Sequence, residues 1–165
     1  MLMLPRIALV VLLVLVVAVI VGTSGTLPER VATHFGHGGV VNGFMSRDGY
    51  IAFMLAFAIL LPLFVVGMMG WVPRLTRSAG GIPHAAYWFA PARRDATNAR
   101  LVSYACLAGC VVLLFMGGLH LVILDANAHA PPRLSEPAFF SMLAVFMVGI
   151  VGFVARMHCM FRRPA

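Results

Sequence analysis

The sequence predicts an all-α fold: a polytopic transmembrane bundle of four helices, with a short β-hairpin in the first outer loop. The first observation is composition, since 62% of the 165 residues are hydrophobic, 10% are charged and the mean hydropathy is +0.99. Soluble domains are nearer half apolar and a quarter charged, and so short a chain cannot bury this excess in its own interior. The second observation is four uncharged stretches of bilayer length. We expect a single membrane domain, 1–165.

The four predicted spans cover residues 4–22, 50–71, 101–124 and 138–155, of which the last is the shortest. A helix needs about 20 apolar residues to cross about 30 Å of hydrocarbon. The first stretch has Arg6 near its start and could instead be a cleavable signal peptide. Its apolar run is longer than that of a usual signal peptide and no A-x-A cleavage site follows. We therefore expect an uncleaved anchor.

The arginines predict the orientation, because positively charged residues in short loops favour the cytoplasmic side. All twelve basic residues are arginine. One side of the predicted bundle holds nine of them: Arg6, Arg74, Arg77, Arg93, Arg94, Arg100, Arg156, Arg162 and Arg163. The other side holds three: Arg30, Arg47 and Arg133. Both termini and the 72–100 loop are thus expected in the cytoplasm. The lysine-free, Ala- and Gly-rich usage is typical of a GC-rich bacterial genome, which indicates a bacterial cytoplasmic (inner) membrane.

Aromatic residues near the predicted span ends support this arrangement. Trp71 and Trp88 fall at the cytoplasmic boundary and Tyr50 falls at the outer end of the second span. Amphipathic rings prefer the interface between the lipid headgroups and the hydrocarbon. All three are predicted to be interface anchors.

Small residues at four-residue spacing predict where the helices approach one another most closely. On the second span these are Ala52 and Ala56. On the third span they are Ala105 and Gly109, with Gly117 farther along the same stripe.

The outer loop, residues 23–49, has the pattern of a hairpin. Val31, Thr33 and Phe35 alternate with Ala32 and His34, which is the period of a strand. Three glycines then supply a turn before the apolar pattern restarts at residue 40. The competing interpretation is a helical turn that starts at residue 26 and is capped three residues later by a glutamate. We favour the hairpin.

The same loop carries a family resemblance. Its motif comprises Pro28, the pair His34–Phe35, then Gly39, Asn42 and Gly43. This run resembles the extracytoplasmic motif of domain of unknown function 1648. That domain occurs in small bacterial membrane proteins and at the front of SdpI-type immunity proteins. Ala32 stands near the place where the family often has a second proline.

The predicted cytoplasmic loop carries a second part of this resemblance. It resembles an Ile-Pro, Tyr-Trp, Pro and Arg-Arg tract of small family members through Pro83, Tyr87, Trp88, Pro91, Arg93 and Arg94. His84 replaces the usual asparagine and Ala92 the usual glutamate. Aromatic residues mixed with arginines predict an interfacial stretch, with its arginines over lipid phosphates.

Three histidines are candidates for a polar site. His34 and His37 could share a metal ion, but a tight site needs three or four ligands. We therefore interpret His34 as a hydrogen-bonded structural residue and expect no metal. His120 lies about one turn inside the third span, where an ionisable group is by default a functional candidate. A neutral histidine facing the headgroups is the equal alternative. Asp125 follows just outside the span and could partner His120.

No common catalytic motif is present, and the five acidic residues lie in loops or at span ends. We therefore expect no enzyme, no cofactor and no nucleic-acid partner. The first hypothesis is a partner-recognition, resistance or immunity, or signalling module of the cell envelope, which binds a peptide or protein. The alternative is a subunit of a small oligomeric transporter or channel, based on His120, the small-residue seams and the helix-kinking Pro62. Either function leaves room for homo-oligomers.

Overall fold

The computed structural model describes residues 3–75 and 83–162, so Arg77 and Arg163 of the orientation argument lie outside the described residues. The elements in chain order are α1 (Leu4–Thr23), β1 (Arg30–Phe35), β2 (Val41–Ser46), α2 (Arg47–Leu75), α3 (Ala85–Trp88), α4 (Arg94–Asn127) and α5 (Glu136–Met160). The helices α1, α2, α4 and α5 are long and apolar enough to span a bilayer. The predicted fold class is confirmed, and the chain is a multi-pass integral membrane protein.

The spanning helices extend beyond the predicted spans. Helix α4 begins at Arg94 and contains 34 residues, so the end of the predicted 72–100 loop is helical. Its first turn carries Asp95, which the positive end of the helix dipole favours. Helix α2 begins at Arg47 and α5 continues to Met160. Hydropathy missed these turns because it detects the hydrocarbon-spanning part of a helix and not its polar ends.

The buried face of α2 differs from the predicted one. Tyr50, Met54, Ala58 and Pro62 follow one another at four-residue spacing and are all buried. Residues four apart on a helix lie on one face, so this row forms the contact with the rest of the bundle. Ala52 is exposed, so the predicted Ala52–Ala56 seam is wrong. Small size favours close packing, but the orientation of α2 follows its larger buried residues.

The predicted seam on α4 is confirmed. Gly109 lies against Leu9 of α1, where an added Cβ would approach the leucine side chain to 2.8 Å. Gly117 lies against Val16 in the same way, at 3.4 Å. Ala105 on the same stripe is fully buried. The missing side chains let α1 and α4 approach closely, which strengthens dispersion contacts in lipid.

Helix α5 is peripheral to a core made of α1, α2 and α4. Its main neighbour is α4, where the rings of Phe115 and Phe146 lie 4.5 Å apart. None of the residues of α5, all within the described part of the chain, is buried. Its outer face, with Val145 and Val148 more than 70% exposed, is available to lipid.

The predicted hairpin is confirmed, and the competing interpretation of a helical turn that starts at residue 26 is wrong. Strands β1 and β2 pair antiparallel, with Val31 opposite Met45 and His34 opposite Gly43. Register shifts on both sides of His34 interrupt the pairing as β-bulges. The hairpin lies where α1 ends, α2 starts and α4 ends, and we call this end of the bundle the hairpin end.

Candidate binding site at the hairpin end

Asn127, the last residue of α4, fastens β1 to the helices. Its Oδ1 accepts from the Ala32 backbone N–H at 2.8 Å, and its Nδ2 donates to the Ala32 carbonyl at 3.0 Å. Nδ2 also donates to the carbonyl of Ile123 at 2.8 Å. The amide therefore pairs with β1 as a neighbouring strand would. Sequence reasoning missed this residue, whose only signal was an amide at the end of an apolar span.

The pairing also shows which backbone groups of β2 remain free. In an antiparallel ladder, hydrogen-bonded pairs alternate with pairs whose N–H and C=O groups point outward. The Arg47 N–H donates to the Glu29 carbonyl at 2.9 Å, and the outward groups of Ala32 bind Asn127. Phe44, opposite Ala32, must therefore direct its N–H and C=O to the other edge. Within residues 3–75 and 83–162, no hydrogen bond outside the hairpin engages them.

The hairpin turn is fastened to the loop between α4 and α5 at Gly39. The Leu134 N–H donates to the Gly39 carbonyl at 3.0 Å, and a Cβ on Gly39 would overlap the Leu134 carbonyl oxygen. Its φ of +72° also belongs to the left-handed region that favours glycine. Next to it, the Gly38 N–H donates to Glu136 Oε1 at 2.7 Å. Gly39, a residue of the motif, thus allows the hairpin turn and the loop between α4 and α5 to approach closely.

Gly43, a second glycine of the motif, makes room for the His34 ring. A Cβ at residue 43 would lie 2.9 Å from the Cβ of His34 and 3.2 Å from its Nδ1. The same Nδ1 lies 3.0 Å from the Thr33 hydroxyl. The interpretation of His34 as a hydrogen-bonded residue is consistent with this contact. His37 lies in the turn and is exposed, and the described residues contain no group of three or more potential metal ligands.

A cavity of about 420 Å³ lies between the hairpin and the ends of α2 and α4. Its lining residues are Thr33, His34, Met45, Tyr50, Phe53, Met54, Leu119 and Ile123. The volume lies within the range of about 300–1,000 Å³ that is usual for small-molecule pockets. Its walls are mostly apolar, and its polar side chains are Thr33 and His34 of the hairpin and Tyr50 of α2. Of the predicted motif residues, only His34 lines it.

His120 is fully buried and joins three helices. Its Nδ1 lies 2.9 Å from the Tyr50 hydroxyl of α2, and its Nε2 lies 2.8 Å from the Thr23 hydroxyl of α1. The headgroup-facing alternative is therefore wrong, and both ring nitrogens are engaged by Tyr50 and Thr23 rather than by Asp125, the candidate partner. The Asp125 carboxylate is exposed. The ring of His120 points inward, where two hydroxyls provide hydrogen bonds in place of water.

The donors in this cluster can be assigned from the hydroxyl of Thr23. Its only proton is donated to the Val19 carbonyl at 2.6 Å, so it accepts from Nε2–H of His120. Nδ1 of the neutral ring is then the acceptor for the Tyr50 O–H. Tyr50 is only 3% exposed, so its predicted role as an interface anchor is wrong. Trp71, by contrast, is 67% exposed, as an anchor requires.

The remaining motif residues of the outer loop lie at its surface. Pro28 and Asn42 are exposed and Phe35 is half-buried. On the outward face of the sheet, the Arg30 guanidinium lies 5.1 Å from the centre of the Phe44 ring. This pair gives the exposed face of the hairpin a cation held on an aromatic ring.

The second motif lies at the opposite end of the bundle and joins no site with the first. Trp88 Nε1 donates to the Phe161 carbonyl at 3.2 Å, and the Thr97 hydroxyl donates to the Trp88 carbonyl at 2.8 Å. Trp88 thereby connects α3 to the start of α4 and to the end of α5. The Arg93 guanidinium lies 4.1 Å from the centre of the Tyr87 ring.

The rest of this tract is mostly exposed. Pro83, Pro91 and Arg93 are exposed, and Arg94 is half-buried at the start of α4. His84 adopts φ +56°, a left-handed conformation that Asn and His tolerate better than most residues. The replacement of the family's usual asparagine by histidine is therefore compatible with this turn.

A protein-family model matches the segment of the chain that contains the hairpin. The family model described as "Domain of unknown function (DUF1648)" matches residues 9–60. The matched segment contains most of α1, the whole hairpin and the beginning of α2, including every outer-loop motif residue. The resemblance of this segment is confirmed, while the tract around Trp88 lies outside the match. No curated protein and no solved structure matches the chain.

Proposed function

We propose that this integral membrane protein is a non-enzymatic recognition module of the cell envelope, which binds an extended peptide segment of its partner at the free edge of β2. The observation that carries the proposal is the outward N–H and C=O pair of Phe44. An exposed strand edge can accept an extended peptide as an additional strand, with main-chain hydrogen bonds supplying affinity. We extend the proposal to a role in resistance or immunity because the matched domain resembles one that also occurs at the front of SdpI-type immunity proteins.

The attachment of the hairpin supports this role. Asn127 holds β1 and Gly39 holds the turn, so β2 is presented by a sheet that is fixed on its other sides. A rigid edge binds with less loss of conformational freedom than a flexible one. Arg30, stacked on Phe44, places a positive charge beside the same edge and favours an acidic group in the partner.

The channel or transporter alternative has less support. His120 uses both ring nitrogens for contacts between helices. The other buried polar side chains of α4 are Thr97, Asn98 and Ser103, near the opposite end. The buried residues of α4 between Ser103 and His120 are Ala105, Cys106, Ala108, Gly109, Leu113 and Met116, which offer little to a polar solute.

The orientation proposed for this function places the hairpin outside the cytoplasm of a bacterial inner membrane. It rests on nine arginines against three. In a variant with its three cysteines replaced by alanine, Asn42→Cys should react with an impermeant maleimide added to whole cells. A cytoplasmic reporter fused after Ala165 should be active. Labelling of Asn42→Cys only after cell lysis would show that the orientation is the reverse of the proposed one.

The proposed function is tested by challenging cells that lack the gene with envelope-active peptides. Complementation with the unaltered chain should restore resistance. Phe44→Pro removes the outward N–H without touching the ladder to β1, and should abolish the rescue. Phe44→Val keeps that N–H and should rescue. Rescue by both variants would reject the free edge as the binding element.

Neither the unaltered protein nor its Trp88→Ala variant should cause ion or solute flux in proteoliposomes. Flux that requires His120, and is lost in His120→Ala, would favour the transporter alternative instead.

A further inference from the structure

The cavity beneath the hairpin suggests a ligand that the proposed peptide recognition does not use. We propose that this cavity binds one acyl chain of a lipid from the leaflet at the hairpin end, with His34 hydrogen-bonding the lipid's polar headgroup. The inference goes beyond the proposed function, because the free edge of β2 and the cavity are different surfaces of the hairpin.

The wall of the cavity is suited to an apolar chain. Met45, Met54, Leu119 and Ile123 come from the hairpin, α2 and α4 and enclose it from three directions. The unbranched side chains of methionine adapt to irregular apolar ligands. Tyr50 presents its ring and not a free hydroxyl, because the hydroxyl is donated to His120. A small polar solute would therefore find few partners in the interior.

The cavity is continuous with the surface that faces the bilayer. Phe53 lines the cavity and is also 43% exposed on α2. Its ring lies 4.4 Å from that of Phe57, which is 44% exposed one turn deeper in the same span. Because α2 crosses the membrane, this aromatic pair faces hydrocarbon. A lipid chain can enter beside Phe53 without crossing water.

The polar end of the cavity is the motif pair of Thr33 and His34. Thr33 engages Nδ1 of His34, and Gly43 leaves space for the ring. His34 is exposed at the mouth of the cavity, so its Nε2 is accessible to a ligand there. It would hydrogen-bond an oxygen of a phosphate or ester group, with the attached chain pointing down toward Met54. The amphipathic order of the cavity, polar at the hairpin and apolar below, matches that of a lipid.

A lipid is favoured over other occupants because the bilayer supplies it at the mouth of the cavity at high local concentration. Occupancy follows the ratio of ligand concentration to its dissociation constant, so even weak affinity is sufficient. An apolar side chain of an inserted peptide would fit the same apolar walls. The experiment below distinguishes a bound peptide from a bound lipid.

The experiment uses the full chain in vesicles of phosphatidylethanolamine and phosphatidylglycerol that contain increasing fractions of a phosphatidylglycerol with a diazirine in one acyl chain. After illumination, the labelled residues are identified by mass spectrometry. Labelling near Met45 and Met54 should saturate at a low fraction of the photolipid. Labelling of Leu60 and Phe64, which face lipid at 63% exposure each, should rise in proportion to that fraction.

Three variants and one control substitution test the assignment. Ile123→Phe and Leu119→Phe fill the cavity and should abolish the saturable labelling. Unchanged labelling of Leu60 reports that α2 is still inserted in the bilayer, and an unchanged thermal midpoint of unfolding reports a folded chain. His34→Ala should raise the half-saturating fraction about threefold to tenfold, which corresponds to one lost hydrogen bond. Phe44→Pro, which tests the peptide edge, should leave lipid labelling unchanged.

Proportional labelling throughout, or saturable labelling that survives both filling variants, would overturn the inference. It would also be overturned if a photoactivatable envelope-active peptide labels Met54 and the lipid does not. Loss of rescue by Phe44→Pro together with unchanged lipid labelling would leave both proposals standing as separate functions of one hairpin.

Discussion

The hydroxyl of Tyr50 lies 2.9 Å from Nδ1 of His120, and the two side chains are 3% and 0% exposed. They belong to α2 and α4, and Thr23 of α1 completes the contact through Nε2. One buried imidazole thus joins the three core helices at the level where the hairpin rests on them.

Tyr50→Phe should destabilise the protein by about 1–2 kcal/mol, because it leaves the buried Nδ1 of His120 without a donor. The measurement is reversible unfolding in detergent micelles by denaturant. Tyr104→Phe, a tyrosine of α4 that is not part of this cluster, is the matched control and should cost less.

A double-mutant cycle tests the same pair more stringently. The double variant Tyr50→Phe/His120→Leu should lose less stability than the sum of the losses in the two single variants. Tyr50→Phe alone leaves Nδ1 of His120 unsatisfied, and His120→Leu removes that atom. Strict additivity would show that the two residues are not coupled.

Asn127→Asp should loosen the hairpin. The carboxylate still accepts from the Ala32 N–H, but it cannot donate to the carbonyls of Ala32 and Ile123. The Ala32 carbonyl then loses its donor, which costs about 1–3 kcal/mol, whereas the Ile123 carbonyl keeps its intrahelical bond from the backbone N–H of residue 127. Amide exchange of β1 should therefore accelerate at least tenfold. Asn42→Asp, an exposed amide on β2, should leave exchange of β1 nearly unchanged, and equal effects of the two changes would exclude the proposed clamp.

Gly39→Ala and Gly38→Ala form a matched pair, since both glycines have φ +72°. Each substitution brings the backbone strain of a left-handed alanine, about 1–2 kcal/mol. Only at residue 39 does the new Cβ overlap the backbone of Leu134, while at residue 38 it meets nothing within 4 Å. Gly39→Ala should therefore lower the thermal midpoint of unfolding further than Gly38→Ala. Equal midpoints would show that the two loops are not in close contact.

Gly109→Ile should separate α1 from α4. The new side chain would meet Leu9 and Pro62, and overpacking of this kind costs about 1–3 kcal/mol or more. Gly67→Ile on α2 is the control, because a Cβ there has no neighbour within 4 Å. The readout is the fraction of folded protein recovered in detergent. A comparable loss in both variants would indicate a general intolerance of isoleucine and not a helix seam.

Trp88→Phe should free the end of α5 with a smaller effect. The ring edge contact with Phe161 can persist, but the Nε1 donor to the Phe161 carbonyl is lost, at about 0.5–1.5 kcal/mol. Limited proteolysis at the C-terminus should become faster. Trp71→Phe, an exposed tryptophan on α2, should not change the cleavage rate.

Much of the fold could be predicted from the sequence. Bilayer-length apolar runs determine the number of spans because lipid offers no hydrogen bonds to an unsatisfied backbone. Alternation at residues 31–35 and the following glycines determined the hairpin. The seam at Gly109 followed from side-chain volume alone, and the motif residues from Pro28 to Gly43 fell within the segment that the family model matches.

The contacts of the site could not be predicted in this way. Whether Tyr50 faces the headgroups or the bundle depends on the rotation of α2, which period and hydropathy leave free in an almost uniformly apolar helix. The sequence offered Asp125 as a nearby candidate partner of His120, but Tyr50, which contacts the ring, lies 70 residues away. Asn127 binds a strand 95 residues distant, which no local pattern encodes.

The sequence by itself determined the spans, the hairpin and the seam on α4, because these depend on hydrophobicity, period and side-chain size. It did not determine the buried face of α2, where the predicted seam residue Ala52 is exposed. Only the tertiary structure decided which polar groups meet, since hydrogen bonds between helices depend on rotation and register that many apolar packings satisfy equally well. The cavity under the hairpin and the free edge of β2 both depend on this rotation and register.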